Sequence, residues 1–196
     1  MDRPREFDEK AVLDATVDWF WRHGYDEMSV QELSASVGTT ADNLLVVFGD
    51  KQSLFERALG HYLACNFEDR GARFVGLTPR DAIVSFFNEI VERSVVDEGR
   101  KGYLLVNAGF GNLPHDAKIQ EEVARVLAHV EGFFRCCVAA GQTCGQISRD
   151  QSADDLAGIL LSTLLGIRVL ARARPERALL EGLLRPIYAL LADPVA

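Results

Sequence analysis

An all-α fold is predicted by three features of the sequence, which runs to 196 residues. Apolar residues recur at helical spacing, as Leu13, Val17 and Phe20 do early and Ile83, Phe86, Phe87, Ile90 and Val91 do later. Helix-start and helix-stop signals bracket such segments, with Asp8, Ser29, Thr40, Thr78 and Ser152 as N-caps and Gly24, Gly38 and Gly141 as stops. No segment alternates apolar and polar residues as a half-buried strand does. In order, the elements make an N-terminal three-helix part built on a helix-turn-helix and a longer C-terminal helical part.

Arg3, Pro4 and Arg5 form a short extended arm. Phe7 and Val12 flank Asp8 as a hydrophobic staple flanks an N-cap, which starts a helix that reaches His23 and stops at Gly24. Ser29-Val30-Gln31-Glu32 is then a capping box, with Met28 and Leu33 placed as its staple. Gly38 ends this short helix by taking the positive φ that a side chain disfavours. Thr40 caps a second short helix over Ala41 to Phe48, with Leu44 and Phe48 on one face. Two short helices joined by such a turn are the helix-turn-helix pattern, whose second helix enters a DNA major groove. Gly49-Asp50-Lys51 opens the next helix, and Leu54, Phe55, Ala58, Leu59 and Tyr62 carry its period toward Phe67. The expected domains are therefore 1–51, the helix-turn-helix, and 52–196.

Beyond a loop at Gly71 to Leu77, Thr78-Pro79-Arg80-Asp81 supplies a cap, a proline at the first position and an acid three residues on. The helix it opens ends near Val96. A short helix is expected over Gly102 to Phe110, and a long one from Asp116 to a stop at Gly141. Leu156 to Ile167 is apolar nearly all round, and Gly158, Ser162 and Gly166 lie four apart on one face, which lets a second helix approach closely. Pro175 opens the last helix, with Leu179, Leu180, Leu183, Leu184, Ile187, Tyr188 and Leu191 in a broad stripe. Two terminal helices this apolar predict a self-association surface, with Gly158, Ser162, Gly166, Leu183 and Ile187 as its candidates; a thick intramolecular core is the other reading.

Composition narrows the function classes. The longest uncharged apolar run is shorter than the roughly 20 residues of a membrane span, and the first ten residues lack the apolar core of a signal peptide. A cytoplasmic protein without membrane contact is expected. Four cysteines (Cys65, Cys136, Cys137, Cys144) lack metal-ligand spacing and read as reduced thiols. His23, His61, His115 and His129 share no spacing with an acid or Cys that builds a triad or metal site, and there is no phosphate-cradling glycine loop. No enzyme, cofactor or metal is expected. The net charge is −8, and the first 63 residues hold six Lys and Arg against twelve Asp and Glu, a net −6. Phosphate neutralisation dominates affinity for DNA, so this balance opposes tight binding.

The segments FDEKAVLDATVDWFWRHGYDEMSVQELSASVG and FGDKQSLFERALGHY resemble, in residue type and spacing, the DNA-binding domain of TetR/AcrR-family transcriptional regulators. The later KGYLLVNAGFGNLPHD, Gly141 to Ile147 and GIRVLARA resemble the ligand-binding and dimerisation domain of one branch of that family. The resemblance implies a ligand-responsive repressor that binds operator DNA as a homodimer. The alternative is a similar ligand- or partner-binding protein whose DNA binding is weakened or lost.

What favours the alternative is the recognition helix. Relatives carry Lys or Arg at Ala41, a small residue at Asp42, Ser or Thr at Asn43, Tyr at Leu45 and a polar or aromatic residue at Val47. Thr39, Thr40 and Asn43 remain as polar contacts, and Asn43 has the groups to read adenine. Asp42 suits a helix start but repels phosphate. By resemblance, Lys51 holds phosphate and Arg3 and Arg5 form a minor-groove arm; a solvated tail is the other reading of the arm. Ser29 and Gln31 either cap and solvate or contact phosphate. Tyr103 stands where many relatives of this branch have Cys, which excludes a cysteine sensor there. The implied effector pocket, between the fourth helix and the long helix, has Phe67, Phe86, Phe87, Ile90, Tyr103, Phe110, Val130 and Phe134 as candidate lining. Such a lining suits an uncharged hydrophobic or aromatic effector.

Overall fold

The computed structural model describes residues 8–23, 25, 27–64, 74–96 and 117–192. The arm at Arg3 and Arg5, the stop at Gly24, Phe67, and the short helix expected around Tyr103 and Phe110 lie outside these residues. Among the described residues there are eight α-helices and no strand, which establishes the all-α fold. The chain divides into two compact units, residues 1–70 with 107–122 and residues 71–106 with 123–196.

The first unit contains α1 (Glu9–His23), α2 (Val30–Ser36), α3 (Ala41–Phe48) and α4 (Lys51–Leu63). Asp8 starts α1 by accepting the Ala11 N–H at 3.1 Å. Val12, Leu13, Val17 and Phe20 of α1 are buried against α4, which returns Leu54, Phe55, Ala58, Leu59 and Tyr62. Phe20 meets Phe55 edge-on at 4.4 Å, and Tyr25 closes the group at 5.3 Å from Phe55. Burial at this depth stabilises by about 1.5–3 kcal/mol per large side chain. On that platform α2 and α3 pack through Leu33, Leu44 and Phe48, with Met28 buried ahead of α2.

The second unit contains α5 (Pro79–Val96), residues 123–143 of α6 (Ala117–Thr143), α7 (Ala153–Ala173) and α8 (Arg177–Leu190). Thr78 starts α5 as expected, accepting the Asp81 N–H at 3.2 Å while its hydroxyl donates to the Asp81 carboxylate at 2.8 Å. Ser152 and Asp155 repeat this arrangement at α7, at 3.0 and 2.6 Å. Ser152→Ala is expected to cost about 1 kcal/mol of unfolding free energy, the usual worth of such a cap, read from the urea midpoint. Arg177 of α8 grips both carboxylate oxygens of Glu92 on α5. That bond holds the Glu92 carboxyl below its ordinary range. The pair's small contribution is therefore present at neutral pH and lost as pH falls through the lowered value.

Three sequence expectations are corrected in this unit. Gly141 does not end α6, which continues to Thr143; the positive φ of 76° falls at Gly145. Gly141 is buried for a different reason: a Cβ there would lie 2.5 Å from Ile147 Cδ1. Its carbonyl also accepts the N–H groups of Gln146 and Ile147, at 2.8 and 3.2 Å. Pro175 does not open α8. The helix starts at Arg177, with Glu176 in the cap position and its carbonyl accepting from Leu179 and Leu180. Finally, α7 spans 21 residues and by length and composition is able to cross a membrane, beyond what the uncharged run alone suggested. It packs Leu156, Leu160, Leu164 and Ile167 inside this unit, its Arg168 donates to Ser94 Oγ at 3.4 Å, and 33% of its most apolar window is buried.

Candidate nucleic-acid interface

The helix-turn-helix is fixed by local chemistry. Ser29 Oγ accepts the Glu32 N–H at 3.3 Å and donates to Gln31 Oε1 at 3.3 Å, so both residues are engaged at the start of α2. Gly38 takes φ 71° in the turn. Thr40 Oγ1 accepts the Asn43 N–H at 3.3 Å, which starts α3. Thr39 Oγ1 accepts from Asn43 Nδ2 at 3.4 Å, so one amide hydrogen of Asn43 is directed back to the turn.

Leu44 and Phe48 anchor α3 inward, which turns Asp42, Asn43 and Val46 outward. The outward face is unusually apolar, with Leu45 41%, Val46 84% and Val47 42% exposed. By the resemblance, Leu45 stands at the position of a tyrosine and Val47 at that of a polar or aromatic residue. The exposure of Val46 was missed, although its place two residues past Leu44 in a short amphipathic helix carried the signal.

Cationic groups nearby are already engaged. The Lys51 ammonium lies 4.7 Å from the Tyr25 ring centroid, a cation–π contact. Arg57 sits over the Phe48 ring, donates to the Val47 carbonyl at 3.2 Å and pairs with Glu9. Asp50 caps α4 by accepting the Ser53 N–H at 2.7 Å, and that bond holds its carboxyl below the usual range. A full negative charge therefore sits at the positive end of α4, where a phosphate gains from the helix dipole. His61 bonds to Asp14 at 2.7 Å, an arrangement that needs no metal.

The effector candidates among the described residues, Phe86, Phe87, Ile90, Val130 and Phe134, lie together in the second unit as an aromatic core. Phe87 and Phe134 stack at 5.5 Å and 4°, Phe86 meets both edge-on, and Ile90 and Val130 are buried beside them. The self-association candidates separate. Ile187 is buried in its own unit and Leu183 is half-buried, whereas Ser162 is exposed. A Cβ added at Gly158 or Gly166 meets nothing within 4 Å. Cys136, Cys137 and Cys144 are free thiols, and burial pushes Cys137 up to about 11.

A family model of bacterial regulatory proteins, tetR family, matches residues 12–58, the span from within α1 to within α4. The uncharacterized HTH-type transcriptional regulator YezE of Bacillus subtilis (strain 168) is 25% identical over 182 residues, which cover 90% of this chain and 92% of that protein. The HTH-type transcriptional repressor ComR of Escherichia coli (strain K12) is 25% identical over 185 residues, 93% of this chain and 87% of that one. Among solved structures, a cysteine mutant of the TetR family transcriptional regulator CifR, complexed with 26-bp double-strand operator DNA, matches with a TM-score of 0.81. It is 28% identical, over 96% of this chain and 98% of that one. With the capped helix-turn-helix inside the matched span and the all-α fold matched almost end to end, the chain carries the helix-turn-helix domain of the TetR family of bacterial regulatory proteins.

Proposed function

We propose that this protein is a cytoplasmic, ligand-responsive transcriptional repressor that binds operator DNA as a homodimer. In this reading residues 1–51 contact the duplex, and residues 52–196 bind the effector and self-associate. The observation that carries it is the intact helix-turn-helix, in which capping and burial hold α3 with one face outward. The matched relative ComR is named a repressor, and CifR was solved on operator DNA. Thr39, Thr40 and Asn43 offer polar contacts, Lys51 at the start of α4 would exchange its Tyr25 contact for phosphate, and the exposed Gln31 and half-buried Ser29 are further candidates at the start of α2. The effector we propose is an uncharged hydrophobic or aromatic molecule bound in the second unit beside Phe86 and Phe134, which a melting-temperature screen of aromatic compounds tests.

A second reading, a regulator-like protein with weak DNA binding, is favoured by the apolar, acidic outward face of α3. Mobility shift at low salt with the chain's own upstream region separates the two. With Arg3, Arg5 and Lys51 as phosphate contacts, a dimer offers about six, and log Kd against log salt has a slope of magnitude near 5. Lys51→Ala is expected to flatten that slope by about two with the preferred sequence unchanged. Asp42→Lys is expected to tighten binding to operator and scrambled duplex alike, because it replaces repulsion by attraction. No shift for the wild type, no gain from Asp42→Lys and an unchanged slope for Lys51→Ala would put the second reading first.

A further inference from the structure

We infer that the outward face of α3 reads A·T base pairs, with the Asn43 amide on adenine and the methyls of Val46 and Val47 against thymine methyls. The inference rests on the DNA-binding reading above and specifies what that site recognises.

The chemistry of base edges limits what α3 is equipped to read. In the major groove guanine presents two acceptors, N7 and O6, and is matched by the paired donors of Arg or Lys. The sequence of α3, ADNLLVVF, holds neither, and neither does α2, VQELSAS. Thymine presents a methyl group that only an apolar surface matches, and adenine presents a donor and an acceptor side by side.

Asn43 is arranged for the adenine pattern. Its Nδ2 spends one hydrogen on Thr39 Oγ1 at 3.4 Å, which orients the amide. The second hydrogen and the carbonyl oxygen are left to meet adenine N7 and N6. Val46 and Val47 lie three and four residues on, so they neighbour Asn43 on the helix surface. Val46 is 84% and Val47 42% exposed, although each would gain by leaving water. A major groove lined by thymine methyls provides that burial next to the adenine edge. Asp42 is the one α3 side chain suited to a G·C pair, by accepting from cytosine N4, and the test resolves its role.

The experiment selects duplexes from a random pool with the full-length protein at low salt. The selected sites are expected to carry A·T pairs where α3 docks. In a selected site, replacing thymine by deoxyuridine removes the methyl alone. Binding is expected to weaken about fourfold for each contacted methyl and not at all at flanking thymines. Val46→Ala changes an exposed residue and leaves the fold intact; it should abolish the thymine–uracil difference at its own position without altering the salt slope. Asn43→Ala should relax the requirement for adenine. Selected sites with G·C pairs under α3, or equal binding of uracil and thymine throughout, overturn the inference while leaving DNA binding in place. If no duplex is retained, the DNA-binding reading fails as well, and the apolar face of α3 belongs to a protein partner.

Discussion

Phe134→Ala is expected to lower the unfolding free energy by about 3–5 kcal/mol, the range for losing a fully buried ring. Phe134 is fully buried, stacked on Phe87 and edge-on to Phe86 at 5.0 Å. Removing the ring forfeits its burial and leaves a space that Phe86, Phe87 and Val130 cannot all move to fill. Against a total of about 5–15 kcal/mol, such a loss takes a large share of stability and shows as a drop in the urea midpoint. The same measurement tests whether this cluster is a core or the wall of a pocket. If space for an effector already exists beside Phe134, truncation costs only the transfer of the ring, and the wild type gains melting temperature with aromatic compounds.

Ser162→Arg is expected to convert the proposed dimer to monomer. Ser162 is exposed on α7, flanked by Gly158 and Gly166, which leave open space, and by the partly exposed Ile159 and Val169. If a second copy packs there, the guanidinium is buried without a partner and association weakens about a hundredfold or more. Sedimentation at micromolar concentration reads the change, with Ser162→Ala as the control that stays dimeric. A monomeric wild type removes the surface from consideration.

The helix starts were legible because their chemistry is local. Ser29, Thr40, Asp50, Thr78 and Ser152 each accept the N–H three residues on, an interaction that a short window of sequence contains. The stops were less legible. Gly141 looks like a helix terminator until Ile147 folds back over it, and no local rule separates a glycine needed for φ from one needed for space. The engagement of Arg57 was hidden for the same reason, since Glu9 is 48 residues away. Helical periodicity placed Phe86, Phe87, Ile90, Val130 and Phe134 on inward faces, but a packed core and a cavity wall share that pattern. On α3 the missing polar residues were visible by resemblance, whereas the exposure of Val46 emerged once Leu44 and Phe48 fixed which way the helix turns.

The pairing of Arg57 with Glu9, together with the net charge of −8, bears on how such a regulator would find its site in a cell. Non-specific attraction to a genome is almost wholly electrostatic, and about 10⁶–10⁹ competing sites normally hold a regulator captive. A first unit whose Arg57 is neutralised within the fold and whose α3 carries no cation would feel less of that capture than one with a basic recognition helix. It would spend less of its search sliding, and more of its copies would be free at any moment. A modest affinity for one operator can then still give occupancy, because the losing competitors are weakened more than the site itself.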